Sequence, residues 1–268
     1  MQHMKLKYLI IALTVILLAY TSCQKVIDLK LNNAAPQLVI EGNVTDQFQP
    51  QSVMLSTSVP FSAQSVYPPV SGATVTITDK ALGTFTLVEG PKGTYSTVPF
   101  KGNYGDTYTL SVQTGGKTYT ATSTMPNLVP LDSLTVRGDV FDNKNSRTIT
   151  VNYQDPPNIA NQYLFVMYIN NKQVNTIFTN DDSFTNGRYV QGDLFQNDID
   201  INLHDTVTVN MECIDENIYK YWFSLSQQQG SGPGGGTAPS NPPSNLSNNA
   251  LGYFSAHTAH TKAVVIEQ

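Results

Sequence analysis

From Ser71 onward the chain alternates, with Ala73, Val75 and Ile77 separated by Thr74, Thr76 and Thr78. A period of two places the apolar set on one face and the threonines on the other, which is a half-buried strand. Tyr108, Leu110 and Val112 alternate in the same way with Thr109, Ser111 and Gln113. Between these runs stand turn signals: Asp79 to Gly83, Gly90-Pro-Lys-Gly93 and Gly115-Gly116. The last is a hairpin signal, because a type I′ turn needs positive φ at both central residues. Further strands are expected at Gln37–Glu41, Ser52–Val59, Thr84–Val88 and Tyr95–Phe100, with a return strand through Tyr119 and Ala121. Short strands at this spacing, with no helical period between them, specify an antiparallel sandwich.

Pro126 and Pro130 bracket an expected boundary, after which alternation resumes at Leu134–Val140 and through Ile149, Val151 and Tyr153. Asp155-Pro-Pro157 interrupts it, since proline cannot donate to a ladder. Tyr163–Ile169 is nearly all apolar and reads as a central strand covered on both faces. Asn170-Asn171 turns it toward Val174–Phe178, Asn186-Gly187 marks another turn, and Thr206–Ile214 is a clean strand. One helix is expected at about 215–227, capped by Asp215, with Ile218, Tyr221, Trp222 and Leu225 on one face. It should lie on a sheet and bury Trp222. Residues 227–249 are mostly Gln, Gly, Ser, Pro and Asn and read as a long flexible loop. Leu251–Ala256 and Ala263–Ile266 then supply a last strand that re-enters a sheet. The expected fold is all-β: two antiparallel β-sandwich-type domains at 37–126 and 131–268, the second carrying the helix.

The N-terminus gives an address. Two lysines precede an apolar run from Tyr8 to Tyr20, then Thr21, Ser22 and Cys23. This is the layout of a secretory leader, and the run is short of the roughly 20 residues a spanning helix needs. Thr21-Ser22-Cys23 resembles a lipobox, with Tyr20 where leucine is usual. The expectation is a lipoprotein signal peptide at 1–22, lipidation of Cys23, and a tether over 23–36. Several acyl chains on one cysteine would give a stable anchor where a single chain would not. Cys23-Gln-Lys also resembles the start of a Bacteroidota surface-export signal, which points to the cell surface rather than the periplasmic face.

Removing the leader takes two lysines and no acids, so the net charge moves from −5 to −7. A mildly acidic chain without basic runs does not suit nucleic acid or an anionic bilayer. With Cys23 acylated, Cys213 has no partner, so no disulfide forms and the fold rests on its core. Cys213 shares the parity of Val207, Val209 and Met211 and reads as a buried apolar residue, not a nucleophile. His257 and His260 lie three apart, so one strand points them to opposite sides and cannot offer both to one ion. Asp198, Asp200 and Asn202 alternate with Ile199 and Ile201, near Asp181, Asp182 and Asp193. Calcium could use such oxygens, but acids on an exposed strand are usually just solvated, and no EF-hand order is present. Tyr163, Tyr168, Tyr189, Tyr219, Tyr221 and Tyr253 could line a surface, yet tyrosine is a favoured strand residue and core is the better reading. No Gly-x-Ser-x-Gly elbow occurs, and Gly232–Gly236 has neither strand nor helix beside it for a phosphate loop.

Val70–Ile77, Gly93-Thr-Tyr-Ser and Gly105–Val112 resemble the successive strands of a prealbumin-like, carboxypeptidase-regulatory-type domain over about Gln37–Met125. Such modules are usually non-catalytic. The Cys23 leader, Leu38–Gly42, Val70–Ile77, Asp181–Gly187 and Leu251–Ala256 together resemble a Bacteroidota outer-membrane lipoprotein family of unknown function. Its genes stand beside TonB-dependent receptors. The resemblance implies a non-enzymatic accessory or substrate-capture subunit of a TonB-dependent importer, with no catalytic residue, cofactor or metal. The alternatives are an adhesive or structural surface lipoprotein and, more remotely, a hydrolase. Thr179–Arg188 and Gln227–Asn249 are the expected contact segments, because loops on a rigid sandwich carry recognition.

Overall fold

The computed structural model describes residues 35–60, 66–138, 147–229 and 240–267; the leader, Cys23 and the tether up to residue 34 lie outside them. In the first half the alternating runs form β1 (Leu38–Thr45), β2 (Ser52–Thr57), β3 (Thr74–Asp79), β4 (Gly83–Thr86), β5 (Val88–Glu89), β6 (Thr94–Ser96), β7 (Thr107–Thr114) and β8 (Lys117–Thr124). The second half adds β9 (Ser133–Gly138), β10 (Arg147–Gln154), β11 (Gln162–Ile169), β12 (Lys172–Gln173), β13 (Phe178–Asp181), β14 (Tyr189–Leu194) and β15 (Thr206–Ile214). The helix α1 (Glu216–Gln229) and β16 (Leu251–Val265) complete the chain. The fold is all-β and sandwich-type, without barrel closure.

One sheet of nine strands organises the body, in the order β12-β11-β15-β16-β1-β2-β6-β5, with β13 also on β11. A four-stranded sheet, β4-β3-β7-β8, and a three-stranded sheet, β14-β10-β9, complete the described strands. β16 is the hinge of this design. Its first half pairs with β1, Val39 opposite Leu251 through Thr45 opposite His257, in parallel. Its second half pairs antiparallel with β15, from Cys213 opposite Thr258 to Thr206 opposite Val265. The β1–β16 pairing departs from the antiparallel expectation. Parallel strands need a long crossover, and here nearly the whole chain intervenes.

Two hydrophobic cores lie on the same face of the large sheet. The first joins Ile40, Val44, Leu55 and Phe254 to Val75, Ile77, Leu110 and Val112 of the four-stranded sheet. The second joins Met167, Val209, Met211 and Cys213 to Ile149, Val151 and Tyr153 of the three-stranded sheet. Residues 126–130 lead from the first core into the second, where Val129 is buried, but β16 spans both, and Pro36–Gln268 forms one compact unit. At Gly252 the chain has φ +92°, and an added Cβ would sit 2.0 Å from the Ile40 carbonyl oxygen. Only glycine permits the two strands to approach there.

The reading of 227–249 as a flexible loop is corrected over its described part. Residues 227–229 belong to α1. Residues 240–250 form a strap that replaces a missing strand neighbour. Asn245 Nδ2 donates to the Phe254 carbonyl at 2.8 Å, and its Oδ1 accepts from the Phe254 N–H at 3.1 Å. On the β8 side, Ser247 N–H donates to the Thr120 carbonyl at 2.8 Å and Asn248 Nδ2 to the Thr118 carbonyl at 2.7 Å. Asn and Ser look like loop residues by composition, yet their side chains mimic a backbone ladder. Leu246 and Ala250 are buried beneath the strap.

Candidate functional site

The two small sheets cover one face of the large sheet. The other face carries α1 at one end and a pocket of about 740 Å³ beside it. Strand alternation sends the residues between the core positions into this pocket: Asn43 and Thr45 of β1, Asn210 and Glu212 of β15, and Ser255 and His257 of β16. Leu164, Val166 and Tyr168 of β11 continue the floor, and Val174–Ile177 form a rim.

A chain of polar contacts crosses the floor. His257 is buried, its Nδ1 is 3.0 Å from Ser255 Oγ, and its Nε2 is 3.8 Å from Glu212 Oε2. Glu212 Oε1 accepts from Asn210 Nδ2 at 3.0 Å, and Asn210 Oδ1 accepts from Thr261 Oγ1 at 3.1 Å. Ser255, His257 and Glu212 have the composition of a nucleophile, base and acid. The Glu212–His257 separation exceeds hydrogen-bond reach, and the nucleophile geometry asks for contacts of roughly 2.6–3.2 Å on both sides of the ring. Where β1 runs out beyond Thr45, Asp46 Oδ1 takes the Ala259 N–H at 3.2 Å and so continues the pairing along β16.

An aromatic wall closes one end. Asp215 caps α1 by accepting from the N–H groups of Asn217 and Ile218 at 2.9 and 3.1 Å. The helix then seats Ile218 against Leu164 and Ile214. Trp222, expected to be buried under the helix, is only partly buried and stands on the pocket wall. Its ring centroid is 5.2 Å from that of Tyr253 and 5.3 Å from that of Tyr221. Burial pushes the Tyr253 hydroxyl up, and burial together with Glu41 pushes Tyr221 up to about 12. Glu41, opposite Tyr253 in the β1–β16 register, is itself raised by burial. The wall is a neutral, aromatic surface at ordinary pH.

The other residues singled out from the sequence separate. His260 also borders the pocket, but its Nδ1 accepts from the Leu131 N–H at 2.8 Å, on the opposite side of β16 from the His257 contacts. Cys213 is in the core, its Sγ accepts from the Val129 N–H, and burial raises its thiol. Residues 195–205 are not a strand, which corrects the alternation inferred for Asp198, Asp200 and Asn202. Asp198 Oδ2 instead accepts from Thr176 N–H and Oγ1 at 2.7 and 3.1 Å. Asp182 takes Asn186 Nδ2, and Asp193 takes Thr150 and Arg137. Among the described residues no group of three or more His, Cys, Asp or Glu could hold a metal ion. Of the tyrosines, Tyr163 is in the core, Tyr168 and Tyr253 line the pocket, and Tyr189 is exposed.

Sequence reasoning missed Asn43, Asn210, Glu212 and Ser255. The signal was there as the polar parity of β1 and β15, but only the β1–β16 pairing brings those faces together.

The sequence matches the family described as Domain of unknown function (DUF4249) over residues 24–263. The chain belongs to that family. No curated protein matches it. The DUF4249 match runs through both cores and all four pocket strands, so the pocket lies within the family's domain. Among its described residues no helix is long and apolar enough to cross a membrane.

Proposed function

We propose that this DUF4249 chain is a lipoprotein of the outer membrane, facing the cell surface, that captures a small ligand for a TonB-dependent importer without chemically altering it. The observation that carries the reading is the pocket itself. A cavity of about 740 Å³ on a rigid sheet lies within the roughly 300–1,000 Å³ usual for small-molecule sites. The separation of Glu212 from His257, and the near-complete burial of Ser255, support binding rather than acyl transfer. The leader ending at Cys23 supports the anchor, and the acidic charge disfavours nucleic acid as a partner.

Docking to the receptor falls to the loop Thr179–Arg188. Asp155 Oδ2 accepts from the Gly187 N–H at 3.2 Å, and Asn186 Oδ1 accepts from the Asn158 N–H at 2.8 Å. Thus braced, the loop leaves Phe184 88% exposed. Loops fixed on a rigid scaffold are where recognition concentrates, and Phe184 is the large apolar side chain that this one presents.

Purification of the tagged native lipoprotein from solubilised membranes is expected to recover a TonB-dependent receptor, and Phe184→Ala to weaken that recovery. A preparation without any receptor would refute the partnership. Replacing Cys23 by Ala is expected to release the protein from the membrane fraction. If deletion of the gene impaired surface attachment and left growth on every nutrient class intact, the adhesive alternative would take its place.

A further inference from the structure

We infer that the pocket binds a neutral, polyhydroxylated ligand, a short oligosaccharide, stacked on Trp222 and Tyr253 and held at the floor by carboxamides. The inference rests on the capture reading above and names its ligand class.

The lining itself selects this chemistry. No lysine, arginine or aspartate lines the pocket among the described residues, and Glu212 is its one carboxylate. An anionic ligand would lack the guanidinium or ammonium donors that such groups require. A cationic ligand would meet a single carboxylate already engaged by Asn210 and standing beside His257. What the pocket offers instead is six carboxamides: Asn43, Gln47, Gln49, Gln173, Asn175 and Asn210. Asn43, Gln47, Gln49 and Asn210 each spend part of this capacity on Tyr253, Asp46, Thr45 and the Glu212–Thr261 pair. An amide has two N–H groups and two lone pairs, so a donor or an acceptor remains at each for neighbouring hydroxyls, themselves both donors and acceptors.

The aromatic wall supplies the other half of the recognition. A sugar ring carries polar edges and apolar C–H faces, so it fits between amides and an indole face. The Trp222 indole N–H and the Tyr168 hydroxyl find no hydrogen-bond partner among the described residues, and both line the pocket. They are donors left for a ligand.

An extended peptide is the nearest competitor, and the floor argues against it. Peptides commonly bind by adding a strand to an open sheet edge. Here β11, β15, β16 and β1 are hydrogen-bonded to one another across the floor, so the backbone groups there are already paired. A ligand must be read by side chains.

Trp222 is the only tryptophan of the chain, so its emission reports on this pocket alone. The detergent-solubilised lipoprotein is titrated with cellohexaose, maltohexaose, xylohexaose and mannohexaose, with hexagalacturonate, and with a tryptic digest of casein. A saturable change in Trp222 emission with at least one neutral hexasaccharide, and with neither of the other probes, is the expected result. Calorimetry should then show Asn210→Ala binding that sugar about tenfold more weakly, as for a lost hydrogen-bonding pair. Trp222→Phe should bind more weakly still, with an unchanged circular dichroism spectrum in both variants. Unchanged affinity in both folded variants would overturn the inference. A response to the casein digest or hexagalacturonate without one to the neutral sugars would overturn the ligand class and leave capture standing. Silence toward every probe in a protein that still co-purifies with its receptor would overturn the pocket's role and leave the membrane partnership.

Discussion

The nine-stranded sheet has two faces made by the same strands, and they differ at every alternate residue. On β15, Val207, Val209, Met211 and Cys213 enter the second core, while Asn210 and Glu212 line the pocket. On β1, Ile40 and Val44 enter the first core, while Asn43 and Thr45 line the pocket. The covered face is closed by two separate small sheets and is mainly apolar, with Thr258 and His260 of β16 as polar exceptions. The open face holds amides, a buried histidine and an aromatic wall. Stability and recognition are therefore distributed over one set of strands without sharing residues. A change on the covered face should cost folding free energy, and a change on the open face should cost binding and little else.

Phe254→Ala gives that contrast its severest test. The ring is fully buried in the first core, close enough to Gly42 that a Cβ there would lie 2.8 Å from it. Truncating a buried phenylalanine costs about 3–5 kcal/mol, from lost transfer free energy and an unfilled cavity. Urea unfolding followed by circular dichroism should show a loss of that order, a large part of the total stability of a typical domain. A loss under about 1 kcal/mol would mean that the covered face does not carry the fold in the way described. Asn245→Ala should come next. It strips the Phe254 N–H and carbonyl of their partners on the unpaired edge of β16, at about 1–3 kcal/mol for groups left unsatisfied. Asn245→Asp keeps the acceptor and loses the donor, so its unfolding midpoint should fall between those of the parent and the alanine variant.

The strap and the pairing it protects also mark the limit of what local sequence discloses. The Gly115-Gly116 hairpin was legible because the turn needs positive φ twice, and the two glycines stand at +56° and +72°. Asn170 and Asn171, at +50° and +65°, were legible for the same reason. The alternation of β15 showed both its faces, and Cys213 fell where parity placed it. The parallel partnership of Val39 with Leu251 was not legible, because no local pattern names a partner more than 200 residues away. The pocket depends on that partnership, so its residues could be seen singly and not as a site. Asp198, Asp200 and Asn202 misled for the converse reason. Their alternation was real, but Gln196 and Asp205 hold that segment in turns by side-chain bonds to its backbone.

Glu41 gives the smallest effect and the sharpest statement about the open face. It lies on β1 between the core positions Ile40 and Gly42, and burial raises its carboxyl above the ordinary value of 4.5. A carboxyl raised by desolvation is more easily ionised in the unfolded chain than in the folded one. Above the folded pKa it therefore subtracts from stability, and as pH falls through that value toward 4.5 the penalty disappears. Glu41→Gln should accordingly raise the melting temperature slightly at pH 7, and the gain should shrink to nothing as the pH is lowered toward 4.5. Melting curves of both proteins across that interval check the sign. A variant less stable than the parent at pH 7 would mean that the Glu41 carboxylate is held by a favourable contact outweighing its burial, and the open face would then contribute to folding after all.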